Sequence, residues 1–144
     1  MKYYRGKFLL LRPVVQAFLL PGILVVVVSI RLALSFLPFS WLRRALDGGK
    51  AVRFAGLVWL ARVTVLGERI PWMVKTAARL VPGATCLTQA MAAELLFGLC
   101  GEPAETCFGV SRKDGQLEAH AWVESGGKVI LGAAEAGKFT PLFR

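Results

Sequence analysis

From Cys86 onward, apolar residues recur at Leu87, Ala90, Met91, Ala93, Leu95, Leu96 and Leu99 until Gly98 or Gly101 interrupts the pattern. That spacing predicts a helix with Cys86 in its first turn and Thr85 as its N-cap. The period then changes to two. AETCFGVS and LEAHAWVE are rich in β-branched and aromatic residues and flank the turn signal Arg112-Lys113-Asp114-Gly115, which predicts a hairpin. In its second strand, alternation puts Leu117, Ala119, Ala121 and Val123 on one face and Glu118, His120, Trp122 and Glu124 on the other. Ser125-Gly126-Gly127 reads as a turn into a third strand, KVILG, and FTPLF packs back onto the sheet.

Ahead of the helix the pattern is apolar and helical. PVVQAFLLPGILVVVVSI, residues 13–30, carries no charge and has about the minimum length of a membrane span. Pro21-Gly22 and Arg31 argue instead for a pair of helices broken at Pro21, buried or covered by a partner, with Arg31, Arg43 and Arg44 on the wet side. Ser29-Ile30-Arg31-Leu32 is a poor signal-peptide cleavage site, so export is not expected. SWLRRALD opens on Ser40 as N-cap and stops at Gly48-Gly49. AVRFAGLVWLARVTVL predicts a further helix ending at Gly67. From Ile70-Pro71 to Leu80, Trp72, Met73, Ala77 and Leu80 form the apolar stripe of a short helix, with Lys75 and Arg79 as a basic pair on another face.

The fold class that follows is α+β: N-terminal helices, then a Cys-bearing helix packed on a small antiparallel sheet of at least three strands. Gly48, Gly49 and Lys50 make the best hinge. They divide a hydrophobic, basic helical region, 1–49, suited to partner or membrane contact, from a core, 50–144. The net charge of +9 is uneven. Residues 1–85 hold 13 Lys and Arg against 2 acids, and 86–144 hold 5 against 7, so the first half suits an acidic partner or an anionic surface. Its basic residues are scattered among apolar ones rather than gathered with aromatics on a recognisable module, which argues against nucleic acid. Three cysteines suit a reducing cytoplasm better than a disulfide framework. No Cys/His spacing suggests a metal site, and no phosphate loop or other cofactor signature is present.

Chemistry points to one pair. A thiol at a helix start lies against free backbone N–H groups, which favour an attacking thiolate, and His120 is the single histidine of the chain. Thiol first and imidazole later is the order a thiol hydrolase or transferase can use: sulfur attacks a carbonyl and imidazole handles the proton. The bland readings are a small buried hydrophobe for Cys86 and a satisfied core histidine for His120. Cys100 and Cys107 are read as core filler, and Trp122 as core packing or a wall of the site. Gln89, one turn into the helix, is either solvated or aimed at the cleft to bind a developing oxyanion beside the Cys86 backbone N–H.

CLTQAMAAELLF, FGVSRKDGQLEAHAWVE, KVILG and FTPL together resemble the transglutaminase-like cysteine protease domain of lasso-peptide biosynthesis, the leader peptidase portion of the B protein. The likeness covers the second half of the chain and extends to the helices of Val14 to Leu46 and Arg69 to Leu80. It implies a transglutaminase/papain-like core and a cytoplasmic peptidase that removes the leader from a ribosomally made precursor. A separate leader-binding protein and an ATP-dependent cyclase would be its partners. The family orients its His with an Asp on the following strand. Here no Asp follows Asp114, the chain has no Asn, and Ala133 and Ala134 stand where the Asp would be sought. Glu135 or a backbone carbonyl ranks ahead of Glu124 as the third member. The gap leaves two rivals: a catalytically inert peptide-binding subunit of the same fold, and a transglutaminase-like acyl transferase.

Overall fold

The structure, a computed structural model, describes residues 12–49, 69–113, 115–133 and 138–143. Among the described residues, four helices, α1 (Arg12–Phe36), α2 (Phe39–Gly49), α3 (Ile70–Ala78) and α4 (Cys86–Leu99), precede four strands, β1 (Glu105–Lys113), β2 (Gln116–Ser125), β3 (Lys128–Leu131) and β4 (Thr140–Phe143). All strand pairs are antiparallel, in the order β3-β2-β1-β4. The α+β architecture expected from the periodicities is the one observed.

The first hairpin closes on Lys113↔Gln116 and the second on Ser125↔Lys128. In the second turn Gly126 (φ 55°) and Gly127 (φ 74°) both occupy the left-handed region, as a type I′ hairpin turn requires. FTPLF supplies the fourth strand, pairing with β1.

Upstream, the structure corrects the reading in four places. Residues 12–36 form one helix that runs through Pro21, not two helices broken there. A proline inside a helix costs about 3 kcal/mol. Leu19 and Leu20 before it, and Ile23, Val27 and Ile30 after it, all pack on the same core. Burial contributes about 1.5–3 kcal/mol per large side chain, which outweighs that cost. Ser40 does not cap α2. The helix begins at Phe39, and the Pro38 carbonyl accepts from the Trp41 and Leu42 N–H groups.

The stripe of α3 is also displaced. Ile70, Met73, Val74, Ala77 and Ala78 are buried, whereas Trp72 and Leu80 are more than half exposed. Repetition at i, i+3, i+4, i+7 and i+8 is the face that packing selected. Finally, Arg31 and Arg43 are only partly on the wet side, each half-buried. Arg31 lies over Gly83 in the turn before α4, with a guanidinium nitrogen 2.8 Å from where a Cβ would stand. Arg43 reaches inward to Glu94 at 2.9 Å. Arg44 is exposed, as expected. The helix anticipated over 51–66 and its stop at Gly67 lie outside the described residues, as does Lys50 of the expected hinge.

A single core joins these elements. Ala90, Met91, Ala92, Ala93 and Phe97 of α4 pack with Ala121 and Val123 of β2, Leu131 of β3, and the buried stripes of α1 and α3. The three alanines let α4 lie close to both the helices and the sheet. The opposite side of α1 is different. Val25 and Leu32 are more than half exposed and Phe36 is 82 % exposed; with Ser29 they form a stripe at i, i+4, i+7 and i+11 facing away from the core. Leu19–Phe36, of mean hydropathy 2.3, is long and apolar enough to cross a membrane by length and composition, and 17 % of it is buried.

Candidate active site

Thr85 ends the turn before α4 in extended conformation (φ −87°, ψ 173°), and its hydroxyl accepts from the Thr88 N–H at 3.4 Å. The N-cap expected from sequence is therefore formed. It fixes Cys86 as the first helical residue, half-buried, with the N–H groups of the helix start beside it.

His120 lies on β2 opposite Gly109 of β1. It shares its face with Trp122, whose ring centre is 6.4 Å away and nearly parallel, and with Glu124, which accepts from the indole N–H at 2.9 Å. Ala121 and Val123 face the other way, into the core under α4. The alternation anticipated along LEAHAWVE is thus the one the strand adopts. Glu124 is engaged with Trp122. Trp122 is almost fully buried on the imidazole side of the sheet.

Both groups line one cleft. It measures about 250 Å³ and is walled by Lys75, Cys86, Gln89, His120, Ala121, Leu131 and Gly132. Its position follows from strand lengths: β3 pairs with β2 only along Val123–Ser125, with a register shift between Val123 and Glu124 ahead of the last pair, Val123↔Leu131. Beyond Leu131 the chain turns away at Gly132 (φ +84°). A Cβ at Gly132 would stand 2.9 Å from the Trp122 Cβ and 3.3 Å from His120 Nε2, so this position needs glycine for both conformation and space. Gln89 is in the wall, half-buried, one turn beyond Cys86. Glu135 lies outside the described residues.

Besides Gly132, three further participants were not anticipated. Lys75, read as part of a basic pair on another face of α3, borders the cleft, because α3 packs beside α4. Gly109 and Phe139 flank His120. A glycine within a strand signals a close approach, and Gly109 carried that signal inside AETCFGVS.

The remaining thiols differ. Cys107 is buried in β1 and Cys100 half-buried at the end of α4. Burial pushes the Cys100 thiol above its ordinary value, and the charge of Glu102 pushes the same way. Since only thiolate reacts, Cys100 should take up iodoacetamide at pH 8 several-fold more slowly than free cysteine. Peptide-resolved mass spectrometry checks this, and a rate equal to that of free cysteine would contradict it.

A thiol at a capped helix start, set on an antiparallel sheet whose strand carries an imidazole into the same cleft, defines the α+β class of transglutaminase-like domains. The chain belongs to the Transglutaminase-like superfamily, whose family model matches residues 24–144. No curated protein and no solved structure matches it. Membership points to a cysteine-protease or acyltransferase kind of activity.

Proposed function

We propose that this chain is a cytoplasmic cysteine peptidase that removes the leader from a ribosomally synthesised precursor during lasso-peptide maturation. The observation that carries the catalytic part is the cleft shared by Cys86 and His120. The substrate class rests on the resemblance of CLTQAMAAELLF and AHAWVE to leader peptidases.

In this mechanism His120 accepts the thiol proton, and the Cys86 sulfur attacks the carbonyl at the leader–core junction. The oxyanion is held by the Cys86 N–H and the Gln89 amide. Collapse of the tetrahedral adduct breaks the peptide C–N bond, and His120 returns its proton to the departing amine. Water, deprotonated by His120, then cleaves the thioester. Gln89 and Leu131 supply a polar and an apolar wall of a cleft sized for a few atoms around the scissile bond. Glu135 or a backbone carbonyl fixes the tautomer of His120.

Sequence recognition is assigned to a separate leader-binding protein, which docks on the exposed stripe of α1 and the neighbouring Phe39 and Trp41, before an ATP-dependent cyclase closes the ring. Purified chain, precursor and partner should yield a peptide shortened by one water-consuming cut. A mass gain from an isopeptide would favour acyl transfer, and no covalent change would favour an inert binding subunit. Adding the partner should raise the cleavage rate at least tenfold, and Phe36→Glu should remove that stimulation while leaving the partner-free rate alone. Equal rates with and without partner would refute the division of labour.

A further inference from the structure

Phe139 was not among the residues expected to matter, yet its ring centre lies 5.1 Å from that of His120 with 26° between the planes. The way it arrives there is built into the sheet. β4 pairs along β1 through Val110↔Thr140 and Gly109↔Pro141, next to a register shift at Phe108/Gly109. Phe139 immediately precedes this strand, so pairing of the C-terminal strand delivers its ring to the imidazole.

Gly109 makes the space. It lies directly across from His120, and a Cβ there would come within 2.9 Å of the Phe139 Cβ and 2.8 Å of the Trp122 ring. The missing side chain is a slot that both aromatics enter. On another side the imidazole is bounded by the backbone at Gly132, 3.3 Å from Nε2 to where a Cβ would stand. Stacking against Phe139 opposes rotation of the imidazole, and Trp122, inclined by 20° to the same ring, favours the same plane.

We infer that Phe139 is a positioning residue for His120: stacked across the Gly109 slot, it holds the imidazole in the plane that serves Cys86. This rests on the catalytic pair proposed above. It concerns the plane of the ring, whereas a tautomer is set by a hydrogen bond, so the two devices act independently.

The test separates stacking from mere filling by comparing Phe139→Leu, which keeps bulk without a plane, with Phe139→Tyr, which keeps the plane. Because His120 is the only histidine, its carbon-bound ring protons give unambiguous NMR signals. In the wild type and the Tyr variant these should show the ring-current displacement of a stacked neighbour, and Leu should lose it. Cys86 alkylation at pH 6, followed by peptide mass spectrometry, reports coupling to His120 without any substrate. His120→Ala should slow it roughly tenfold, Phe139→Leu by at least threefold, and Phe139→Tyr by less than twofold. With precursor, Phe139→Leu should lower kcat and leave KM within twofold. A Leu variant with wild-type alkylation and kcat, against a slowed His120→Ala, overturns the role of Phe139 alone. An unchanged His120→Ala overturns the catalytic pair and this inference with it.

Discussion

Cys86→Ala is expected to abolish precursor cleavage, lowering kcat by about 10³-fold or more, while the protein stays folded. Cys86 is half-buried at the first position of a helix capped by the preceding residue, so alanine removes the sulfur without disturbing the Thr85–Thr88 hydrogen bond. Ala is also the best helix former, and the stability change should stay within about 1 kcal/mol. His120→Ala should cost a comparable factor, and the double variant should be little worse than either single one. Groups that act in one proton-transfer unit are strongly non-additive. Intact turnover by Cys86→Ala, measured by mass spectrometry of the precursor, would remove the peptidase reading. A wild type that binds the precursor without cutting it would leave the binding subunit.

The second large effect concerns Glu94, which sequence patterning had absorbed into the α4 helix without a role. Its side chain is 1 % exposed, and Oε2 accepts from Arg43 at 2.9 Å and from the Thr106 backbone N–H at 3.1 Å. One carboxylate therefore ties α2, α4 and β1 together. Removing one member of a buried pair typically costs about 3–5 kcal/mol, because the other is left buried and uncompensated. Arg43→Ala should cost less than that, about 1–3 kcal/mol, since Arg43 is partly solvated and Glu94 keeps the Thr106 N–H. Glu94→Gln keeps the shape and an acceptor for Thr106, and should cost about 1–3 kcal/mol. Urea unfolding midpoints at constant slope check both. A loss below about 1 kcal/mol for Arg43→Ala would show that the pair contributes little to the fold.

The corrections share a cause. Pro21 carries a local helix-breaking penalty that a local reading takes at face value, and Ile23, Val27 and Ile30 override it only once α3 and α4 are there to receive them. Trp72 and Leu80 look like core by hydrophobicity, yet they are outside because the face carrying Ile70, Met73, Val74, Ala77 and Ala78 is the one that enters the core shared with α1 and α4. Arg43 looks like surface until an acid 51 residues away is folded beneath it. In each case the partner is distant in the chain, and periodicity holds no information about it.

What the chain settled by itself is local and periodic: a helix starting at Cys86 behind its Thr85 cap, two hairpins, one joining β1 to β2 and one at Gly126-Gly127, and an alternation placing His120 with Trp122 and Glu124. Those features depend on turn chemistry and on neighbours a few residues apart, so the amino-acid order specifies them directly. Only the tertiary structure brought Lys75, Gln89 and Gly132 around the same cleft, aimed Phe139 across Gly109 onto the imidazole, and buried Glu94 against Arg43. The reason is physical: those arrangements depend on where β3 stops, how β4 returns and how three helices share one alanine-lined core, and such contacts exist only after distant segments have met.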